Sequence, residues 1–264
     1  VESLWIRSHF LKDYQLTNKL EPIACSIKSV KDKRHKNLNS LKELLNTCKI
    51  IMNDNVIKYN SILDNKKNSN ELKSNYFINF IINHYAQHIE IIRMIKTSIN
   101  CNYKNSASNY KSSIDPIYPT EPDIFINAET YLMKFKNSFM YDNEKPNLNF
   151  NINKFYISKN PILLGEWAAF IKDDGYFRKE FWSNIGWAWK TDNNIKNPLN
   201  WLVYDNSEIS VVTPNGYVSP NNKAPVSNIS KFEAEAFANW SGYRLMHEFE
   251  WVATNEKMLN KNSK

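Results

Sequence analysis

Cysteine is scarce in this chain. There are three in 264 residues, Cys25, Cys48 and Cys101. An odd number, spread far apart, matches neither a disulfide framework nor the paired spacing of a cysteine metal site, and is the usage expected of a reducing cytoplasm. Long apolar runs are also missing: no stretch approaches the ~18–20 unbroken apolar residues of a membrane span. No basic-then-apolar leader follows Val1, and residue 1 is not methionine. Nor is there a basic groove interleaved with aromatics. The net charge of +7 comes from lysines scattered among asparagines, as in Lys66-Lys67-Asn68 and Asn260-Lys261-Asn262. Such a pattern reads as a solvated surface without nucleic acid or membrane as partner. What remains, with 42% hydrophobic and 14% aromatic residues, is enough to build a core and excludes wholesale disorder.

The first hundred residues contain no glycine and a single proline, Pro22, so helical periodicity runs on with little interruption. Apolar residues at spacings of three and four predict helices over Leu4 to about Leu20, about Asn37 to Leu63, and Ser74 to about Ile99. Three long helices with short connections make a bundle. A polar stretch from about Asn100 to Asp123, with Pro116, Pro119 and Pro122, then reads as a linker. Beyond it the texture changes. All five glycines and seven of the eight tryptophans lie there, between short apolar runs. Strands are expected near Ile124–Leu132 and Leu148–Ile157, and helices near Leu163–Lys172, Arg178–Trp182 and Lys231–Trp240. Ser230 and Glu233 carry the spacing of a capping box. The fold class is therefore α+β, with a helical bundle over 1–115 and an irregular mixed domain over 116–264.

Chemistry first shows in the third helix. Phe77, Ile81, His84, His88, Ile92 and Ile95 form one apolar stripe that contains two imidazoles. Burying an unpaired imidazole costs about 1–3 kcal/mol, so two stacked a turn apart need partners. One metal ion would satisfy both, since residues four apart lie only about 40° from eclipsed. Glu90 falls roughly 240° from His84 and should face solvent. His9 is the best third ligand, because Trp5, His9, Leu16 and Leu20 form a stripe that can face the same interior. His35 sits in a charged run and His247 in the other domain. Three neutral nitrogens leave coordination positions open for chemistry, and spacing alone leaves iron(II), zinc, nickel and copper all possible.

Motifs in the second domain resemble a known family. They run, in order, through Phe139-Met140-Tyr141-Asp142-Asn143-Glu144-Lys145-Pro146, Phe155-Tyr156-Ile157-Ser158, Gly165-Glu166-Trp167 with Phe170-Ile171, and Asp174-Gly175-Tyr176-Phe177-Arg178. Trp182, Gly186-Trp187-Ala188-Trp189, Pro225-Val226-Ser227, Glu233-Ala234-Glu235-Ala236, Gly242-Tyr243-Arg244-Leu245 and Glu248-Phe249-Glu250-Trp251 continue the series. The set resembles ergothioneine-type nonheme-iron sulfoxide synthases, whose C-terminal domain is related to formylglycine-generating enzymes and has a C-type-lectin-like fold. Their N-terminal DinB-like bundle holds iron through a Trp-x-x-x-His and a His-x-x-x-His segment. Trp5-Ile6-Arg7-Ser8-His9 and His84-Tyr85-Ala86-Gln87-His88 match these.

The resemblance implies Fe(II) on His9, His84 and His88. It also implies dioxygen-dependent joining of a thiol, cysteine or γ-glutamylcysteine, to the histidine betaine trimethylhistidine (hercynine), giving a sulfoxide. Gln87 and Arg34 are the expected substrate-binding residues, Arg34 through a substrate carboxylate. Aromatic residues between Tyr176 and Trp201 either cage a quaternary ammonium or pack the core, packing being the preferred role. Asp142, Asn143 and Glu144 are expected to cap turns. Met246-His247 replaces the family's usual Pro-Thr, a change expected at the start of a helix. Residue 1 falls inside the family's bundle, and the family's catalytic tyrosine is expected beyond Lys264, so the chain reads as truncated at both ends. Two rivals stand beside this reading: a DinB-like metal-dependent thiol transferase, and a non-catalytic homologue that acts as a binding module.

Overall fold

The computed structural model describes residues 76–101, 110–133, 147–204 and 208–261, with scattered helical positions between 46 and 61. Two compact units divide the chain, Val1–Tyr85 with Lys136–Tyr141, and Ala86–Phe135 with Asp142–Lys264.

Helix α1, Tyr76–Cys101, is the third helix expected from the periodicity. In the first unit it buries Asn79, and the ring of Phe80 stacks on His84 at 6.2 Å. Its later turns belong to the second unit, and there the face that is covered differs from the apolar stripe. Thr97 is buried, while Ile92 and Ile95 are 55% and 52% exposed. The reason is a polar anchor. Asn100 Nδ2 donates to the Thr213 carbonyl, the Tyr217 hydroxyl donates to the Asn100 carbonyl, and Cys101 Sγ donates to the Leu199 carbonyl. Thr97 is nine residues from His88, roughly 180° around the helix, so this anchor turns the His88 side outward. Periodicity reveals that a stripe exists; it does not reveal which face finds a neighbour.

The second unit is mixed helix and sheet. Each of the two expected strand regions is two strands: β1 (Ile124–Ile126) and β2 (Glu129–Met133), then β3 (Leu148–Ile152) and β4 (Phe155–Ile157). β1 pairs antiparallel with β4 and β2 with β3, with Ile126 opposite Phe155 and Glu129 opposite Ile152. The four strands thus form one two-stranded ribbon broken at the same level on both sides, at 127–128 and 153–154. Helix α2, Leu164–Lys172, follows, then a single 3-10 turn at Lys179–Phe181 where a longer helix was expected. α3, Asn184–Asp192, was not anticipated; Ser183 caps it by accepting from the Gly186 N–H at 3.1 Å. A three-stranded antiparallel sheet, β5 (Trp201–Val203), β6 (Ile209–Thr213) and β7 (Gly216–Val218), leads to α4, Lys231–Trp240, and α5, Glu248–Lys261.

The core is aromatic. Trp167 stacks on Phe237 at 5.0 Å and 6°, and Phe170 sits among Tyr176, Phe237 and Trp240. Large rings suit a domain whose sheets are small, because each removes much apolar surface from water without long regular elements. Gly175 belongs to this arrangement: a Cβ there would lie 2.1 Å from the Phe170 ring.

The segment read as a linker is, in its described half, a strap on this unit. Ser112 bridges Ile209, the Ile117 N–H donates to the Gly165 carbonyl, and Tyr118 donates to Asp173. Prolines keep the strap extended without a sheet partner, which is why it carries no helical or strand periodicity.

Candidate functional site

Two places among the described residues hold the side chains of interest, and they are built differently. One is the interior of the second unit. α4 opens with the capping box expected from sequence: Ser230 Oγ accepts from the Glu233 N–H at 3.2 Å, and Glu233 Oε2 accepts from the Ser230 N–H at 2.7 Å. That geometry carries the Glu233 carboxylate into the core, where it is 3% exposed. Its other oxygen accepts the Tyr176 hydroxyl at 2.7 Å, and the same hydroxyl oxygen accepts from Trp167 Nε1 at 3.3 Å. Burial, reinforced by the neighbouring Glu233 charge and its hydrogen bond, holds the Tyr176 phenol far above its ordinary range. Tyr176 is therefore a fixed hydrogen-bond donor across the physiological range. The helix N-terminus adds a partial positive charge beside the carboxylate, which helps to keep a buried anion there. The trio Trp167, Tyr176 and Glu233 is a structural network, and three of the family motifs find their explanation in it.

Beside this network lies an open groove of about 1050 Å³, walled by β4, Trp167, Phe237 and the Gly242–Leu245 turn. Its one charged pair is Arg244 with Glu250, bonded through both nitrogens at 2.6 and 2.8 Å. Hydrogen bonding from Arg244 holds the Glu250 carboxyl below the usual carboxylate range, and the Arg244 guanidinium is raised in turn. Glu250 also accepts the His247 N–H at 2.7 Å, while His247 Nδ1 accepts from the Phe249 N–H at 3.3 Å. His247 thus stands as the cap of α5, with an imidazole nitrogen in the role a serine or threonine oxygen usually fills. The substitution at Met246-His247 is a change at a helix start, as expected.

Most of the aromatic segment packs the core. Tyr176, Trp182 and Trp201 are buried, and the rings that face a cation face the chain's own: Trp187 and Phe177 meet Lys190 at 4.7 and 5.2 Å, and Phe181 meets Arg178 at 4.3 Å. Sequence reasoning missed this lysine. It is only 9% exposed, and desolvation lowers its pKa.

The other place is α1. His84 is half-buried; Gln87, His88 and Glu90 are exposed, Glu90 as its angular position required. His84 and His88 lie one turn apart on an unbroken helix. His9 and Arg34, together with Asp142, Asn143, Glu144, Cys25 and Cys48, lie outside the described residues. Among the described residues no group of three or more His, Cys, Asp or Glu side chains is arranged to hold a metal ion. Nor, among them, is any helix long and apolar enough to cross a membrane.

Comparison with known proteins agrees with the motifs. Hercynine oxygenase of Mycolicibacterium thermoresistibile is 36% identical over 115 residues, 43% of this chain and 24% of the relative. Hercynine oxygenase of Mycobacterium tuberculosis is 38% identical over 112 residues, 42% of the chain and 25% of the relative. That of Mycolicibacterium smegmatis is 36% identical over 112 residues, with the same coverage. The matched stretch spans about a quarter of the length of these curated relatives. Residues 113–257, more than half of the chain, match the sulfatase-modifying factor enzyme 1-like domain. They contain the Trp167–Tyr176–Glu233 network and the Arg244–Glu250 pair. On the strength of that match the chain belongs to the sulfatase-modifying factor enzyme 1-like family, and over part of its length it is similar to proteins named hercynine oxygenase.

Proposed function

We propose that this chain is part of an ergothioneine-type sulfoxide synthase, in which a DinB-like bundle holds iron(II). The observation that carries the reading is the match, at 36–38% identity, to three proteins named hercynine oxygenase. Hercynine is accordingly the proposed acceptor. The reaction balances with dioxygen as oxidant: a thiol S–H and an imidazole C–H are lost, a C–S bond and an S=O bond form, and the second oxygen atom leaves as water.

His9, His84 and His88 are the proposed ligands. On α1 the fit is one of donor type and spacing: two imidazoles one turn apart, one half-buried and one exposed. A set of neutral nitrogens suits iron(II) and leaves positions free. Bound there, iron(II) supplies a Lewis-acidic and redox-active centre for thiolate and dioxygen. Gln87, adjacent to His88 and exposed, is the proposed substrate contact on α1, and Arg34 is the proposed partner of a substrate carboxylate.

The test is to load the protein anaerobically with iron(II), add hercynine with cysteine or γ-glutamylcysteine, admit oxygen, and follow oxygen uptake and product mass together. Uptake that needs both substrates and yields the sulfoxide supports the proposal. Oxygen consumption without a C–S product, or thiol transfer without oxygen, overturns it.

A further inference from the structure

We infer that Asn215 is a site of spontaneous main-chain modification, converting through a cyclic imide to aspartate and isoaspartate. Asn215–Gly216 is the sole asparagine–glycine pair in the sequence. It forms the tip of the β6–β7 hairpin, where Thr213 pairs with Gly216 across a two-residue turn. The reaction needs three things, and the hairpin supplies each. The carboxamide must be free to turn: Asn215 is exposed, and among the described residues only its backbone N–H is engaged, by Thr213 Oγ1 at 3.2 Å. The next residue must let its nitrogen approach: Gly216 has no side chain, and nothing lies within 4 Å of where a Cβ would stand. The backbone must open locally, and a hairpin tip opens at little cost. Gly216 N then attacks Asn215 Cγ, the C–N bond of the carboxamide breaks and ammonia leaves. Water opens the imide at either carbonyl. No oxidant or reductant is involved.

The same chain contains its own control. Asp174–Gly175 is the other acidic-or-amide residue followed by glycine, and it is locked. Gly175 N–H donates to the Phe170 carbonyl, the Asp174 carbonyl accepts from both Phe177 and Arg178, and the Phe170 ring fills the space beside Gly175. Asn200 and Asn193, elsewhere in the unit, have their carboxamides tied to the Val212 and Trp189 carbonyls.

The consequence reaches α1. An isoaspartyl linkage adds a methylene to the main chain and a negative charge between β6 and β7. Thr213 and Tyr217, on either side, are the residues that hold Asn100 at the end of α1. Modification therefore loosens the hairpin and the last turn of α1 together.

Incubating the folded chain in heavy-oxygen water at mildly alkaline pH, followed by peptide mass mapping, tests this. The expected result is an amide-to-acid mass shift carrying solvent oxygen, appearing first on the peptide that contains Asn215 and abolished at that position by Asn215→Gln, with no solvent oxygen entering Asp174, where an imide would exchange oxygen without an amide-to-acid shift. Hydrogen exchange at 213–217 and 97–101 should rise in step. If another asparagine is labelled first in the folded chain, or the Asn215 peptide is labelled only in urea, the inference is overturned.

Discussion

Replacing Glu233 with glutamine leaves side-chain shape intact and removes one acceptor from a fully enclosed network. In the native core one carboxylate oxygen accepts the Tyr176 hydroxyl and the other the Ser230 N–H, both at 2.7 Å. Glutamine keeps a single oxygen. If it serves the backbone N–H, the amide nitrogen faces Tyr176 and donates to its oxygen, which Trp167 Nε1 already approaches. The hydroxyl hydrogen is then stranded in a site 1% exposed. A buried donor left without a partner costs about 1–3 kcal/mol, and hydrogen bonds to a charged acceptor are worth roughly 1.5–3 kcal/mol against about 1 for neutral ones. The expected loss is about 2–4 kcal/mol. For a unit of this size each kcal/mol moves Tm by about 2–4 °C, so the midpoint should fall by roughly 5–15 °C. The assay is urea unfolding of wild type, Glu233→Gln, Tyr176→Phe and the double variant. The two single changes should couple by ~1 kcal/mol or more, since they share one hydrogen bond. A Glu233→Gln cost under ~0.5 kcal/mol, the range of an ordinary surface change, would refute the network.

Further expectations follow from the same contacts. The Tyr176 phenol is raised in the folded state, so its contribution is complete below its unfolded value of 10 and fades as pH climbs beyond it. Alkaline unfolding should flatten in Tyr176→Phe. Glu250 is shifted the other way: its contribution is present above about pH 4.5 and is lost as pH falls. Glu250→Gln should weaken the start of α5, raising hydrogen exchange there, while costing only about 1 kcal/mol globally because Arg244 is largely exposed. Gly175→Ala forces the Phe170 ring to move and should cost about 1–3 kcal/mol in thermal melts.

Much of the C-terminal domain was legible where a local rule settles the structure. The Ser230–Glu233 box starts a helix because both partners lie within one turn, and α2 and α4 announced themselves by apolar spacing. The strand regions were legible as regions and not as four strands, since the break at 127–128 is matched across the ribbon by one at 153–154 and no glycine or proline marks either. α3 hid because Gly186 and the closely spaced Trp187 and Trp189 blur its periodicity, although Ser183 was a readable cap. The β6–β7 hairpin does carry a local signal, Pro214-Asn215-Gly216 between apolar pairs. On α1 the helix and its histidine pair were readable, but the covered face was set by Thr97 and Asn100. Polar residues that reach a sheet 113 positions away leave no local trace.

The central claim is that His9, His84 and His88 hold iron(II). Anaerobic iron(II) titration of the protein, with each histidine changed to alanine in turn and folding checked by circular dichroism, tests it most directly. The account predicts one tight iron site in the parent chain and its loss in all three variants. Iron bound as tightly by the folded His88→Ala or His9→Ala protein as by the parent would contradict it.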